Sequence, residues 1–230
     1  MQFDVVTLVP EYIESIRQNT LWRRAEEKAL LKLNCHQLRD YGLGPQKLVD
    51  DTLYGGGPGM LLRVDVLVKA LESIKKQSKS RVLLASPQGP VLNQAKAEQL
   101  SQDYEQLILI SGRYEGVDER FIEGWVDEMF SIGDYILPSG DLPCMVMMES
   151  VSRCIKGVVG DHRNVAEDSF SDQLLKYPQY TRPEVFLGRK VPDILLSGHH
   201  EKIDQWRKDM AKKNTLKRRP DMVEKSTTKE

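Results

Sequence analysis

Charged and turn-forming residues gather in a few short stretches of this sequence. "GRYEGVDER", Gly112 to Arg120, sets Arg113, Glu115, Asp118 and Glu119 beside two glycines, directly after the apolar run "QLILIS". "ESVSRC", Glu149 to Cys154, carries an arginine near a helix end, and "AEDSF", Ala166 to Phe170, carries an acidic pair. A carboxylate and a fixed cation are what a proton abstraction uses when negative charge develops on an adjacent oxygen. Taken singly each has a plainer explanation: the arginine as a solvated charge, and "EDS" as an ordinary N-cap pattern for a following helix.

Three loops share a second property. "SPQGP" follows "RVLLA", "SGRYEGVDER" follows "QLILI", and "SIGDYILPSGDLP" follows "DEMF", so each leaves a run with strand character and is rich in small or turn-forming residues. Ligands of open α/β sheets bind outside the carboxyl ends of the strands. Glycine there leaves backbone N–H and C=O groups uncovered, and such groups can read the edge of a flat heterocycle such as adenine. "YGGGPG", Tyr54 to Gly59, lacks the Lys-Ser/Thr of a Walker loop and does not match G-x-G-x-x-G, so it is a weak phosphate cradle and reads as a loop of unusual backbone freedom. "HHEKID" has Asp204 where a zinc helix needs its second histidine, and "PCMVMM" lacks the second cysteine of a deaminase site.

The elements that must position these residues follow from periodicity. "FDVVTLV" reads as a strand ending at Pro10, and "IESIRQNTLWRRAEEKALLKL" as helix. "RVLLAS" and "QLILIS" are continuous apolar runs of the kind buried on both faces of a parallel sheet. "VDVLVKALESIKKQ", "LNQAKAEQLSQDY", "VDERFIEGW" and "DLPCMVMMESVSR" have helical spacing. This alternation predicts an α/β domain with a mostly parallel sheet. From "VVGDHRNVAEDSFSDQ" onward the apolar runs stop, which predicts residues 1–159 as the first domain, a linker at 160–172, and a small, mainly helical domain at 173–230 that contains Trp206.

Composition narrows the class. A 40% hydrophobic and 29% charged chain of 230 residues has material for one sizeable core and a smaller one. No stretch approaches the roughly 18 apolar residues of a membrane helix, and "MQFDVVTLVPEY" has no leader pattern, so the expectation is a cytoplasmic protein. Three scattered cysteines, Cys35, Cys144 and Cys154, imply neither a disulfide framework nor a zinc ribbon. A net charge of −1 gives no global nucleic-acid signature, but "EKIDQWRKDMAKKNTLKRRP" is strongly basic and offers a local anion-binding face or a solvated helix surface.

"VDDTLYGGGPGM", "SPQG", "GRYEGVDER", "SIGDYIL", "SVSR", "EDSF", "YTRPEVF", "VPDILLSGHH" and "LKRRP" together resemble, in order and spacing, the bacterial tRNA (guanine-N1)-methyltransferases. The resemblance covers nearly the whole chain. It implies an α/β fold of the SPOUT type with a deep trefoil knot, a homodimer, a helical C-terminal domain, and methyl transfer from S-adenosyl-L-methionine to N1 of guanine 37 in the tRNA anticodon arm. It implies cofactor contacts from Pro87, Gly112, Ile132, Gly133, Asp134, Tyr135, Ile136, Leu137, Gly140 and Pro143. Asp168 is implied as the general base, supplied by the partner chain, with Arg153 stabilising charge on the guanine O6 and Glu115 as an acidic partner near the target base. The basic C-terminal run and Arg182 are implied contacts to tRNA phosphates; Mg²⁺ is allowed as a helper, and no metal-ligand set is expected.

Two features depart from the family pattern. The usual "SGGELP" stands here as "PSGDLP", with Pro138 and Ser139 in place of serine and glycine and Asp141 in place of glutamate, and the chain ends soon after "LKRRP". Two other readings compete: a nonenzymatic RNA-binding dimer that keeps the fold, and a SPOUT enzyme acting on a ribose 2′-oxygen. The first would have no reason to retain both Asp168 and Arg153, and the second has no need of the linker aspartate.

Overall fold

A computed structural model describes residues 1–160, 168–170 and 173–227. The chain divides into two compact units, Met1–Gly160 and Asp161–Glu230.

In the first unit, β1 (Gln2–Thr7) leads into α1 (Pro10–Glu14), a 3-10 turn (Ser15–Gln18) and α2 (Thr20–Glu27), followed by β2 (Lys32–Gln37). A two-stranded ribbon, β3 (Asp50–Asp51) and β4 (Leu61–Leu62), brackets the glycine-rich loop. Then come α3 (Val64–Glu72), β5 (Ser80–Ala85), α4 (Gln94–Asp103), β6 (Gln106–Ser111), α5 (Glu119–Trp125), β7 (Glu128–Phe130) and α6 (Asp141–Cys154). The main sheet has the order β2-β1-β6-β5-β7, and every pair in it is parallel.

The continuous apolar runs have a direct structural cause. Successive residues of a strand face opposite sides, so Leu107 and Leu109 join one core with α1, α2, α4 and α6, while Ile108 and Ile110 join the other with α3 and α5. Phe3 and Trp22 pack with ring centroids 5.6 Å apart in the first core. The central strands are apolar between their ends because helices cover both faces, and the exception is Asp4, low on β1. There Asp4 accepts hydrogen bonds from Gln2 (2.7 Å), Asn34 (2.9 Å) and Gln106 (2.8 Å) and pairs with His36 (2.8 Å). Burial opposes its charge, but these bonds outweigh burial and hold its carboxyl down to about 2.

Two sequence expectations need correction. The helix expected through "IESIRQNTLWRRAEEKALLKL" breaks at Asn19, whose side chain accepts from the Leu21 amide (2.9 Å) and caps α2, and it ends before Ala29, which takes a left-handed φ of 55°. The tail of that stretch is instead the edge strand β2, which Lys32, Asn34 and His36 make too polar for the apolar-run signal. The ribbon β3–β4 is the second difference: "VDDTLYGGGPGMLLRVD" reads only as loop, and its two-residue strands are too short for a periodic signal.

The second unit holds a hairpin of two-residue strands, Val185–Phe186 and Arg189–Lys190, a short helix, Asp193–Leu196, and the long helix His200–Arg218 followed by Pro220–Thr227. Most of the expected linker, 161–167 and 171–172, lies outside the described residues. Among the described residues no helix is long and apolar enough to cross a membrane.

Candidate cofactor and catalytic site

The carboxyl ends of β5, β6 and β7 lie side by side, and the loops that leave them enclose a cleft of about 320 Å³. Ser86, Pro87 and Gln88 come from the first loop, Gly112 to Val117 from the second, and Ser131 to Gly133 with Tyr135 to Gly140 from the third; Pro143 on α6 completes the wall. This is the sheet edge the loop composition points to.

Close backbone approach builds the walls. The Gly140 amide donates to the Gly112 carbonyl (2.8 Å), and Arg113 and Ser139 form an isolated antiparallel bridge. A Cβ at Gly140 would stand 2.9 Å from the Gly112 nitrogen, 3.0 Å from the Ala85 Cβ and 3.1 Å from the Ser111 Cα. On the other side, the Ser131 amide donates to the Pro90 carbonyl (3.0 Å) and the Leu92 amide to the Ser131 carbonyl (2.8 Å). Gly133 takes a φ of +147°, which turns the chain so that the Tyr135 ring folds over it and the Tyr135 hydroxyl donates to the Ile132 carbonyl (3.1 Å).

The glycine-rich loop 55–59 meets the second wall. The Glu115 amide donates to the Met60 carbonyl (3.0 Å), and any side chain at Gly59 would collide with the Glu115 carboxylate. Tyr114 beside it holds a φ of +58°, a conformation uncommon for a bulky residue and one that turns the chain at the cleft. The Asp118 carboxyl caps α5 and pairs with Arg120 (2.7 Å), which lowers it below its ordinary value.

Of the residues the sequence singles out, Pro87, Gly112, Glu115, Ile132, Gly133, Tyr135, Ile136, Leu137, Gly140 and Pro143 all line this cleft. Asp134 does not; it is exposed at the turn after Gly133. Arg153 is exposed in the last turn of α6, whose first turn carries Pro143 into the cleft. Twelve residues separate it from Asp141, which is about 18 Å along a helix axis. Asp168 belongs to the second unit, where it lines a separate groove with Lys176, Tyr177, Arg207, Lys208 and Lys212. In that groove the Arg207 guanidinium lies 5.0 Å from the Tyr177 ring centroid.

Sequence reasoning missed Arg113 and Ser139 as wall residues and Gly59 as the neighbour of Glu115. A signal existed for the last: four glycines and a proline in the five residues "GGGPG" already say that backbone passes close to something. Among the described residues no three His, Cys, Asp or Glu side chains gather to hold a metal.

Residues 1–225 match the family described as tRNA (guanine-1)-methyltransferase TrmD. The chain belongs to that family. It is 45% identical over 227 residues to the tRNA (guanine-N(1)-)-methyltransferase of Geobacter metallireducens, covering 98% of this chain and 92% of the relative. The proteins of the same name from Carboxydothermus hydrogenoformans (46% over 223 residues, 97% and 87% covered) and Halalkalibacterium halodurans (46% over 226 residues, 97% and 92% covered) are equally similar. The cleft of this family member has walls chemically suited to an adenosyl group: they offer uncovered backbone at Gly112, Gly133 and Gly140, held in place by the tight crossing beneath Gly140.

Proposed function

We propose that this enzyme methylates N1 of guanine 37 in tRNA, with S-adenosyl-L-methionine held in the cleft between the β5, β6 and β7 loops. The observation that carries the reading is the convergence of ten sequence-predicted residues on one cleft at the sheet's carboxyl edge, in a member of the tRNA (guanine-1)-methyltransferase family. When bound, S-adenosyl-L-methionine supplies an electrophilic methyl group on a sulfonium.

The chain's own residues then have distinct tasks. Backbone groups of Gly112, Ile132 to Leu137 and Gly140 orient the adenosyl moiety, and the closed crossing excludes water from beneath it. Asp168 takes the N1 proton of guanine, Arg153 meets the negative charge that this leaves on O6, and Glu115 holds the base from the cleft side. Alignment of nitrogen, methyl and base contributes much of the acceleration, about 7 to 11 kcal/mol for well-oriented groups.

Arg153 stands at the far end of α6 from the cleft of its own chain, which supports a homodimer in which one protomer's cleft meets its partner's Arg153 and Asp168. The segment 131–140, pinned between Pro90–Leu92 on one side and Gly112–Arg113 on the other, supports a knotted SPOUT-type crossing. In the second unit, Lys176, Arg207, Lys208 and Lys212 would take tRNA phosphates, together with Arg182.

The test is methyl transfer from labelled S-adenosyl-L-methionine to tRNA transcripts carrying G or A at position 37. Label is expected only in the G37 transcript; equal incorporation into both would remove the proposed target.

A further inference from the structure

Beneath the cleft, Asp141 is fully buried, and no step of the proposed chemistry uses it. Its carboxylate is met by hydroxyls from three separate parts of the chain. Thr7 Oγ1, at the end of β1, donates to Oδ1 (2.5 Å), and Ser111 Oγ, at the end of β6, donates to the same oxygen (2.7 Å). Ser139 Oγ donates to Oδ2 (2.7 Å) and accepts from the Asp141 amide (3.3 Å), while Arg113 Nη2 stands 3.5 Å from Oδ2.

A buried carboxylate is costly unless paired and hydrogen-bonded, so the donors around Asp141 are held where they are. Two of them continue directly into the walls of the cleft: Ser111 into Gly112 and Arg113, and Ser139 into Gly140. Oδ1 has two close donors, but Oδ2 has only one, the Ser139 hydroxyl, with the Arg113 contact long.

We propose that Asp141 and Ser139 act as one positioning unit that sets the spacing between the Gly112–Arg113 wall and the Gly140 wall of the cofactor cleft. The proposal rests on the cleft being the S-adenosyl-L-methionine site. The two side chains are coupled by volume as well as by hydrogen bonding. One more methylene at position 141 would drive the carboxylate about 1.5 Å further, into the space the Ser139 hydroxyl occupies. Removing that hydroxymethyl group makes the room.

The experiment compares the wild type, Ser139→Gly, Asp141→Glu and the double variant by titration calorimetry with S-adenosylhomocysteine and by steady-state kinetics. Loss of a hydrogen bond to the buried charge, or crowding of it, is expected to weaken cofactor binding about tenfold in each single variant. The double variant is expected to bind within about threefold of wild type. KM for S-adenosyl-L-methionine should follow these changes while KM for tRNA and kcat stay near wild type, a split that general loosening of the fold would not give. If Asp141→Glu alone does not fold, recovery of a folded, binding double variant carries the same conclusion. The proposal fails if the losses of the single variants simply multiply in the double variant, or if both folded single variants bind within about twofold of wild type. Absence of binding by the wild type would overturn the cleft assignment itself, which separates that failure from this one.

Discussion

Gly140→Ala is the smallest change that probes the crossing beneath the cleft. The φ of Gly140 is −77°, ordinary for any residue, so the backbone does not require glycine there; the surroundings do. The new methyl would stand 2.9, 3.0 and 3.1 Å from the Gly112 nitrogen, the Ala85 Cβ and the Ser111 Cα. Comfortable carbon contacts are about 3.5 to 4.0 Å, so the overlap is about 0.5 to 1 Å on three sides. Two of the three neighbours are backbone atoms, one in β6 and one just beyond it, and cannot rotate away. The cost is that of overpacking a close-packed site, about 1 to 3 kcal/mol. The softest escape is to lengthen the Gly140–Gly112 hydrogen bond, which spreads the cleft walls, so cofactor affinity is expected to fall by about tenfold to a hundredfold.

Thermal melting and titration with S-adenosylhomocysteine measure both effects, and Gly124→Ala provides the reference. Gly124 lies in α5 with open space where its Cβ would go, so alanine there should stabilise by about 0.4 to 1 kcal/mol and leave binding alone. A folded Gly140→Ala protein with wild-type affinity would show that the crossing does not shape the cleft.

Asp4, held near pKa 2 against an ordinary 3.8, adds stability that is present above about pH 4 and lost as pH falls toward 2, about 2 kcal/mol in all; Asp4→Asn should flatten that part of a melting-temperature profile. Burial pushes the Cys35 thiol up to about 12 and raises Cys144 and Cys154, so the native protein at pH 8 should react slowly with a thiol reagent and the unfolded chain quickly; rapid modification of Cys35 would contradict its placement. Asp168→Asn should keep cofactor binding and lose most turnover in single-turnover methylation, and unchanged turnover would strip Asp168 of its role as base. In the proposed homodimer, mixing Glu115→Gln with Arg153→Ala chains should recover about a quarter of wild-type activity, because half of such dimers would be mixed and each would have one intact site. No recovery would place Arg153 in the site of its own chain.

Legibility in the sequence followed the strength of each physical signal. β5 and β6 announce themselves because both faces are buried, whereas β2 sits at the sheet edge, and its alternating Lys32, Asn34 and His36 hide it inside a helical-looking stretch. The cleft was legible from the glycines, since uncovered backbone and sharp turns need that residue. Which way each side chain points was not. Asp134 belongs to the same motif as Tyr135, yet the turn at Gly133 leaves it exposed and off the wall. The Asp141 cluster was invisible for a different reason: Thr7, Ser111 and Ser139 are ordinary residues, and only the topology that brings the ends of β1 and β6 together makes them partners.

The placement of the charged residues follows from the same geometry. Among the described lysines, arginines and histidines, Arg113 is the one that lines the cleft, and Asp141 is spent beneath it. On the proposed reading, the cation Arg153 and the base Asp168 reach the open face from elsewhere. α6 carries Arg153 about 18 Å along its axis from Asp141, at the end opposite the one that reaches the cleft. In the proposed homodimer a second copy of the chain supplies the cation and the base, and a partner surface that closes over the base would also exclude the water that screens charge in an open cleft.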